Sequence, residues 1–303
     1  MSIRTAALGL AMLLLAGCGG TASSPAPDQG PVDGRVSVVA STNVYGSIVS
    51  AIGGDRVRVT TLIDDPAADP HSYESTPAGA AAVAGAQLVV YNGGGYDDWM
   101  QQLVESAGGD RKVINVAELS GLAGGDGFNE HLWYRAPTMQ QLATELAGEL
   151  SAIDSGHASG YRANADAFSA RAAAEIQGKA EAIGRAHPGA RVAVTEPVPG
   201  YLIESAGLVD ATPPEFARAV EEDTDPPAAV VAQTLQLFGS DPVRALIVNA
   251  QTETPTTDQV RQAAQTGGVP IVEVSETLPA GSGDYVSWMG GQVDALATAL
   301  DKD

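Results

Sequence analysis

The chain has a single cysteine in 303 residues, so it cannot close a disulfide within itself. Basic residues are also scarce: 16 Lys plus Arg stand against 37 Asp plus Glu, a formal charge of −21. So acidic a surface repels phosphate backbones and anionic lipid, which excludes nucleic acid as a partner and raises the local concentration of cations. Apolar runs are short. The longest, Ala6 to Ala16, is about 10 residues, too few for a bilayer core of roughly 30 Å. No HExxH-like spacing occurs among the four histidines, so the helix-borne site of the common zinc hydrolases is absent.

What is present at the start has the layout of an export signal. Arg4, the apolar run and the small-residue boundary Leu15-Ala16-Gly17-Cys18 resemble a bacterial lipobox, with residues 1–17 as the signal peptide. The resemblance implies that Cys18 is the lipidated first residue of the mature chain, which puts the protein outside the cytoplasm, anchored to the cell membrane. Residues 18–34 are rich in Gly, Ser and Pro, lack apolar periodicity and are expected to form a flexible linker.

From there strands and helices alternate, which predicts an α/β fold with parallel sheets. Arg35–Thr42, Val57–Leu62 and Gln87–Tyr91 are expected strands. Val44–Ile52, a short helix opened by Thr76-Pro77 and closed by Gly85, and Tyr96–Ser106 are expected helices. Residues 161–187 are dominated by alanine with interspersed charge and contain no proline and only the glycines Gly178 and Gly184, a composition for a long rigid helix of about 40 Å. The alternation then restarts with strands at Arg191–Thr195, Val243–Val248 and Val269–Val274. The accompanying helices are Pro213–Glu222, one capped by Asp225-Pro226 and running to Phe238, one after Pro255, and Tyr285–Leu300. The expected organisation is an N-terminal lobe over 35–160, the interlobe helix over 161–187 and a C-terminal lobe over 188–303. The two halves share architecture without an evident sequence repeat.

Ligands of open α/β sheets sit in loops beyond strand ends. His71, in Asp69-Pro70-His71-Ser72-Tyr73-Glu74, and His131, in Asn129-Glu130-His131-Leu132-Trp133-Tyr134, occupy such loops. Glu196 directly follows the strand that starts at Arg191. Asp284, in Gly281-Ser282-Gly283-Asp284-Tyr285, opens the last helix as a ligand or simply as its N-cap. His157 and His187 look like connector residues, the latter at a helix end where a cation suits the dipole. Gly93-Gly94-Gly95 is not a phosphate cradle, because Asp97 and Asp98 follow at once and no lysine accompanies them.

From Val36 to Leu300 the chain resembles the metal-receptor lipoproteins of bacterial ABC importers, the zinc- and manganese-binding class. The resemblance rests on Thr42-Asn43-Val44-Tyr45 with Gly53-Gly54-Asp55, on Asp69 to Glu74, and on Asn92 to Trp99. It also rests on His131-Leu132-Trp133, on Tyr201 to Leu208 after Glu196, and on Gly283-Asp284-Tyr285. It implies a metal site between two lobes, with His71 and His131 from the first and Glu196 and Asp284 from the second. It further implies no catalysis and no organic cofactor, but a monomeric receptor that hands its ion to an ABC permease. Two positions depart from the family pattern: Glu130 stands where proline usually precedes the second histidine, and the loop before it lacks the His-rich insertion of many zinc receptors.

Two imidazoles and two carboxylates suit Mn²⁺, Fe²⁺ or Zn²⁺. Glu196 at the third position is similar to the manganese receptors, where zinc receptors carry histidine, so manganese is the favoured ion and zinc the next. Alternatives are a secreted metal-dependent hydrolase, which would need an open coordination position and a general base, and a surface adhesion lipoprotein.

Overall fold

The computed structural model describes residues 33–65, 70, 73–122 and 127–302. Cys18, the signal segment, His71 and most of the linker lie outside the described residues. Each half is built on a four-stranded parallel sheet. The first contains β1 (Val36–Thr42), β2 (Val57–Ile63), β3 (Leu88–Tyr91) and β4 (Lys112–Asn115), in the order β2-β1-β3-β4. The second contains β5 (Arg191–Val194), β6 (Val209–Asp210), β7 (Ala245–Asn249) and β8 (Ile271–Val274), in the order β6-β5-β7-β8. The two halves therefore repeat one topology. In both, the order reverses between the first and third strands, which opens a crevice at their C-terminal ends.

The expected α/β class with two parallel-sheet lobes holds, and the strands earn their place by burial. β1, β3, β5 and β7 are almost wholly buried apolar runs, as strands covered on both faces must be. β4 and β6 were not anticipated. Both are short edge strands, and β6 has two exposed residues, so neither carries a hydrophobic signal. A longer element, the helix Ala136–Ile153, also went unanticipated, although Met139, Leu142, Ala143, Leu146, Ala147 and Leu150 mark its buried face at helical spacing.

Helix ends follow local chemistry. The Thr76 hydroxyl accepts from the Gly79 N–H and Pro77 occupies the first turn of Pro77–Ala84, as expected. Thr254 and Thr257 form a reciprocal capping box at the start of Pro255–Thr266. The expected cap at Asp225 is not found: the helix begins at Ala228, two prolines intervene, and no side chain caps it.

The long helical segment spans 158–186, three residues longer at its start than expected. It consists of Ala158–Ala172, a π-helical stretch Ala173–Gly178 and Lys179–Ala186. At 1.5 Å per residue it measures about 43 Å. It packs against Ala136–Ile153 and against Tyr285–Leu300 from the far end of the chain. Phe168 stacks on Tyr285, and Arg171 and Lys179 pair with Asp284 and Asp294. One apolar core runs through both halves, from Val36 and Val38 through Trp133, Leu142 and Phe168 to Val194, Val293 and Leu300. Among the described residues no helix is long and apolar enough to cross a membrane.

Candidate metal centre

The segment that carries His131 lies between the halves and is fixed from both sides. On the N-terminal side, Asp97 is buried and accepts from the backbone N–H groups of Asn92 at 2.8 Å and Gly93 at 2.6 Å. Burial pushes its carboxyl up to about 6, with those backbone donors opposing the shift. The Asn92 side chain takes a short hydrogen bond from Tyr45 and donates to the Glu130 carbonyl at 2.9 Å, immediately before His131. Gly93 has φ +71, and a Cβ there would lie 2.2 Å from the Asn115 side chain, so only glycine passes this turn. On the C-terminal side, Tyr134 donates to the Ser275 carbonyl at 2.8 Å, and Tyr285 donates to the Trp133 carbonyl at 2.6 Å.

Asn129 links the two. Its Oδ1 accepts from the His131 backbone N–H at 3.0 Å and lies 2.8 Å from His131 Nδ1. Its Nδ2 donates to the Pro197 carbonyl at 2.8 Å, one residue past Glu196, and its own carbonyl accepts from the Tyr201 hydroxyl. With Nδ2 committed as a donor, Oδ1 must be the acceptor, so Nδ1 carries the proton. When the ring is neutral, Nε2 presents a lone pair. His131 is fully buried, with Tyr96 and Trp133 set edgewise around it.

Three carboxylates of the second half face this nitrogen or the cavity beside it. Glu221 Oε1 is 3.3 Å and Glu276 Oε2 3.8 Å from His131 Nε2. Glu196, Glu221 and Glu276 line one cavity of about 190 Å³ together with Asp223, Gln251, Thr252, Glu253 and Thr254, with no Lys or Arg in its wall among the described residues. Glu196 and Glu276 are buried, and Glu196 Oε2 has no hydrogen-bond partner. Burial, reinforced by the charges of Glu221 and Glu276, pushes the Glu196 carboxyl up to about 8, with Asn249 and Thr252 opposing. Asn249 also donates to Glu276 Oε1 at 2.9 Å. Tyr96 lies against Glu276, and burial followed by that negative charge raises its hydroxyl well above the ordinary tyrosine range. Buried carboxylates crowded together are an arrangement that a cation relieves.

Of the four residues expected from sequence, the structure brings His131 and Glu196 to this cavity. His71 lies outside the described residues. Asp284 is engaged elsewhere: it caps Tyr285–Leu300 through the Ser287 N–H at 2.9 Å and forms a forked pair with Arg171 at 2.7 and 3.1 Å. The Arg171 hydrogen bond holds its carboxyl down to about 2. Asp284 thus makes the N-cap contact and an arginine pair. Glu276 stands in the cavity instead, two residues past the end of β8, just as Glu196 stands two residues past the end of β5. That shared offset was the signal that could have found it. Glu221, the last residue of Pro214–Glu221, carried no strand-exit signal at all. His157 pairs with Asp154 and His187 with Asp301, consistent with connector roles.

Among the described residues no three His, Cys, Asp or Glu side chains are grouped closely enough to hold an ion on their own. The cavity residues fit an ion in donor chemistry, one imidazole nitrogen and carboxylate oxygens, which suits divalent first-row metals.

The chain is similar to several known proteins. It is 31% identical over 161 residues to the manganese-binding lipoprotein MntA of Halalkalibacterium halodurans, a match covering 52% of this chain and 51% of that one. The chain thus spans about half the length of the manganese-binding relatives it matches. It is 25% identical to the high-affinity zinc uptake system protein ZnuA of Paracoccus denitrificans, with 96% of this chain and 98% of that one covered. A crystal structure of ZnuA superimposes with a TM-score of 0.74 at 22% identity, covering 88% of this chain and all of that one, a likeness of fold. Residues 38–299 match the family model for the periplasmic zinc-uptake complex component A, and the chain belongs to that family.

Proposed function

We propose that the protein is an extracytoplasmic receptor that captures one divalent transition metal, manganese first and zinc next, and delivers it to an ABC permease. In this reading His131, Glu196 and Glu276 are ligands, His71 adds a second imidazole from the first half, and Asp284 is not a ligand. The observation that carries the reading is the convergence of buried His131 Nε2 with carboxylates of the other half, Glu221 at 3.3 Å and Glu276 at 3.8 Å, beside the buried Glu196. Relatives described as manganese-binding and zinc-uptake proteins support the choice of cargo. None of the relatives reported above is described as an enzyme.

The donor set fits cargo binding. Two imidazoles with carboxylates are of borderline hardness, and carboxylates that bind through both oxygens raise the coordination number, which Mn²⁺ accepts more readily than a tetrahedral zinc site does. Ligands drawn from both halves make the ion a bridge that favours the closed arrangement. The 158–186 helix, packed along both halves, keeps that closure small. The chain organisation is an N-terminal lobe, this helix and a C-terminal lobe. Lipidation at Cys18 would tether a monomeric receptor to the membrane beside its permease.

The test is calorimetric titration of chelator-treated protein with Mn²⁺ and with Zn²⁺. One ion per chain is expected, with binding strongly weakened in Glu276→Gln and preserved in Asp284→Asn. Absence of binding, or equal losses in the two variants, would overturn the reading.

A further inference from the structure

Among the acids lining the cavity, Glu221 lies closer to His131 Nε2 than Glu276 does, and the His/His/Glu/acid set does not require it. Glu221 ends a helix whose buried stripe is Phe216, Ala217 and Val220, and it lies one turn beyond Ala217 on that same inward side. A polar residue at an inward position needs a reason. The location is electrostatically adverse as well: the C-terminal end of a helix carries partial negative charge, so a carboxylate there is disfavoured unless a cation is near. Asp223, two residues on, adopts φ +51, a left-handed conformation uncommon for a non-glycine residue, and lines the same cavity.

The distances suit a cation beside His131 Nε2. Two donors at about 2.0–2.2 Å from one ion, at right or tetrahedral angles to each other, lie about 2.8–3.6 Å apart. His131 Nε2 and Glu221 Oε1 are 3.3 Å apart, the edge of such a polyhedron. Glu276 Oε2, at 3.8 Å from the same nitrogen, stands at a somewhat wider angle about the same centre. Glu196 Oε2, buried and without a hydrogen-bond partner, lines the same cavity.

We propose that Glu221 is a direct ligand of the captured ion, a third carboxylate beside Glu196 and Glu276. The inference rests on the metal-receptor reading above and deepens it. Three carboxylates make the site harder and richer in oxygen than a two-His, two-acid set. That composition favours Mn²⁺, or Fe²⁺ in a similar high-coordination shell, over four-coordinate Zn²⁺.

The experiment compares wild type with Glu221→Gln and Glu221→Ala, and uses Glu222→Gln, the exposed neighbour, as a control for net charge. Thermal melts first establish that each variant folds. Calorimetry then gives Mn²⁺ and Zn²⁺ affinities, and X-ray absorption at the manganese edge gives the ligand shell. The expected result is a loss of Mn²⁺ affinity of at least about 10-fold in both Glu221 variants, the minimum for a residue that matters to a metal site. Zn²⁺ affinity should fall less, the oxygen shell of bound manganese should change, and Glu222→Gln should match wild type. Unchanged or increased Mn²⁺ affinity would overturn the proposal, since a carboxylate that merely paired with His131 would compete with the ion. A weakened affinity with an unaltered ligand shell would overturn it too, by making Glu221 an outer neighbour. Metal binding by the wild type, whatever the Glu221 variants do, leaves the receptor reading standing, so the two can fail separately.

Discussion

Replacing Glu196 by glutamine removes an ionisation that burial disfavours and yields a stability signature that depends on pH. Burial, then the charges of Glu221 and Glu276, moves this carboxyl from 4.5 to about 8 in the folded protein. In the unfolded chain it ionises near its ordinary value. Between those limits the folded state holds a proton that the unfolded state has released, so stability falls as pH rises from about 4.5 to about 8 and is level beyond. At about 1.4 kcal/mol per tenfold the ceiling is about 5 kcal/mol. The three carboxylates share the burden, so about 2–5 kcal/mol is the working range. For a domain of this size each kcal/mol moves the melting midpoint by about 2–4 °C. Metal-free wild type should therefore lose about 5–15 °C between pH 5 and pH 8 relative to Glu196→Gln, whose isosteric amide does not ionise. Differential scanning calorimetry of both proteins, stripped with chelator, at half-unit pH steps reads this directly. Parallel midpoints across the range would refute the reasoning. Saturating Mn²⁺ should lift wild type and leave the glutamine variant nearly unmoved, because stabilisation follows affinity.

Two further outcomes follow from the site's supports. Asn129→Ala removes the acceptor that fixes the His131 tautomer and the link to Pro197, so Mn²⁺ affinity should fall about 10–100-fold in a titration while the fold persists. Asp284→Asn keeps an N-cap but loses the Arg171 pair; with the Asp284 side chain 39% exposed, solvent screening limits the loss to about 0.5–1 kcal/mol in urea unfolding, with metal affinity unchanged.

Much of the fold was legible because its determinants are local and periodic. The buried runs at β1, β3, β5 and β7 and the Thr76-Pro77 helix start announce themselves within a few residues. The helix Tyr285–Leu300 coincides with its expected limits because a capping aspartate and an unbroken apolar face define them. β4 and β6 were illegible for the converse reason: as edge strands of four and two residues they owe their state to pairing with β3 and β5. The helix Ala136–Ile153, by contrast, had a plain periodic face. At the site, His131 and Glu196 follow from the loop-beyond-strand rule. The same rule with one fixed offset selects Glu276, whereas the family resemblance points to Asp284, whose pairing with Arg171 joins residues distant in sequence and has no local signal. Glu221 reaches the cavity only through the tertiary placement of its helix.

The central claim is that a single ion is held where Nε2 of buried His131 meets the acids that follow β5 and β8. A crystal structure of the Mn²⁺-loaded protein, with anomalous differences collected at the manganese edge, tests it most directly. The account predicts one strong peak within about 2.0–2.5 Å of His131 Nε2 and of Glu196 and Glu276 oxygens. A peak at Asp284, or none in the cavity of a protein that binds manganese in solution, would contradict it.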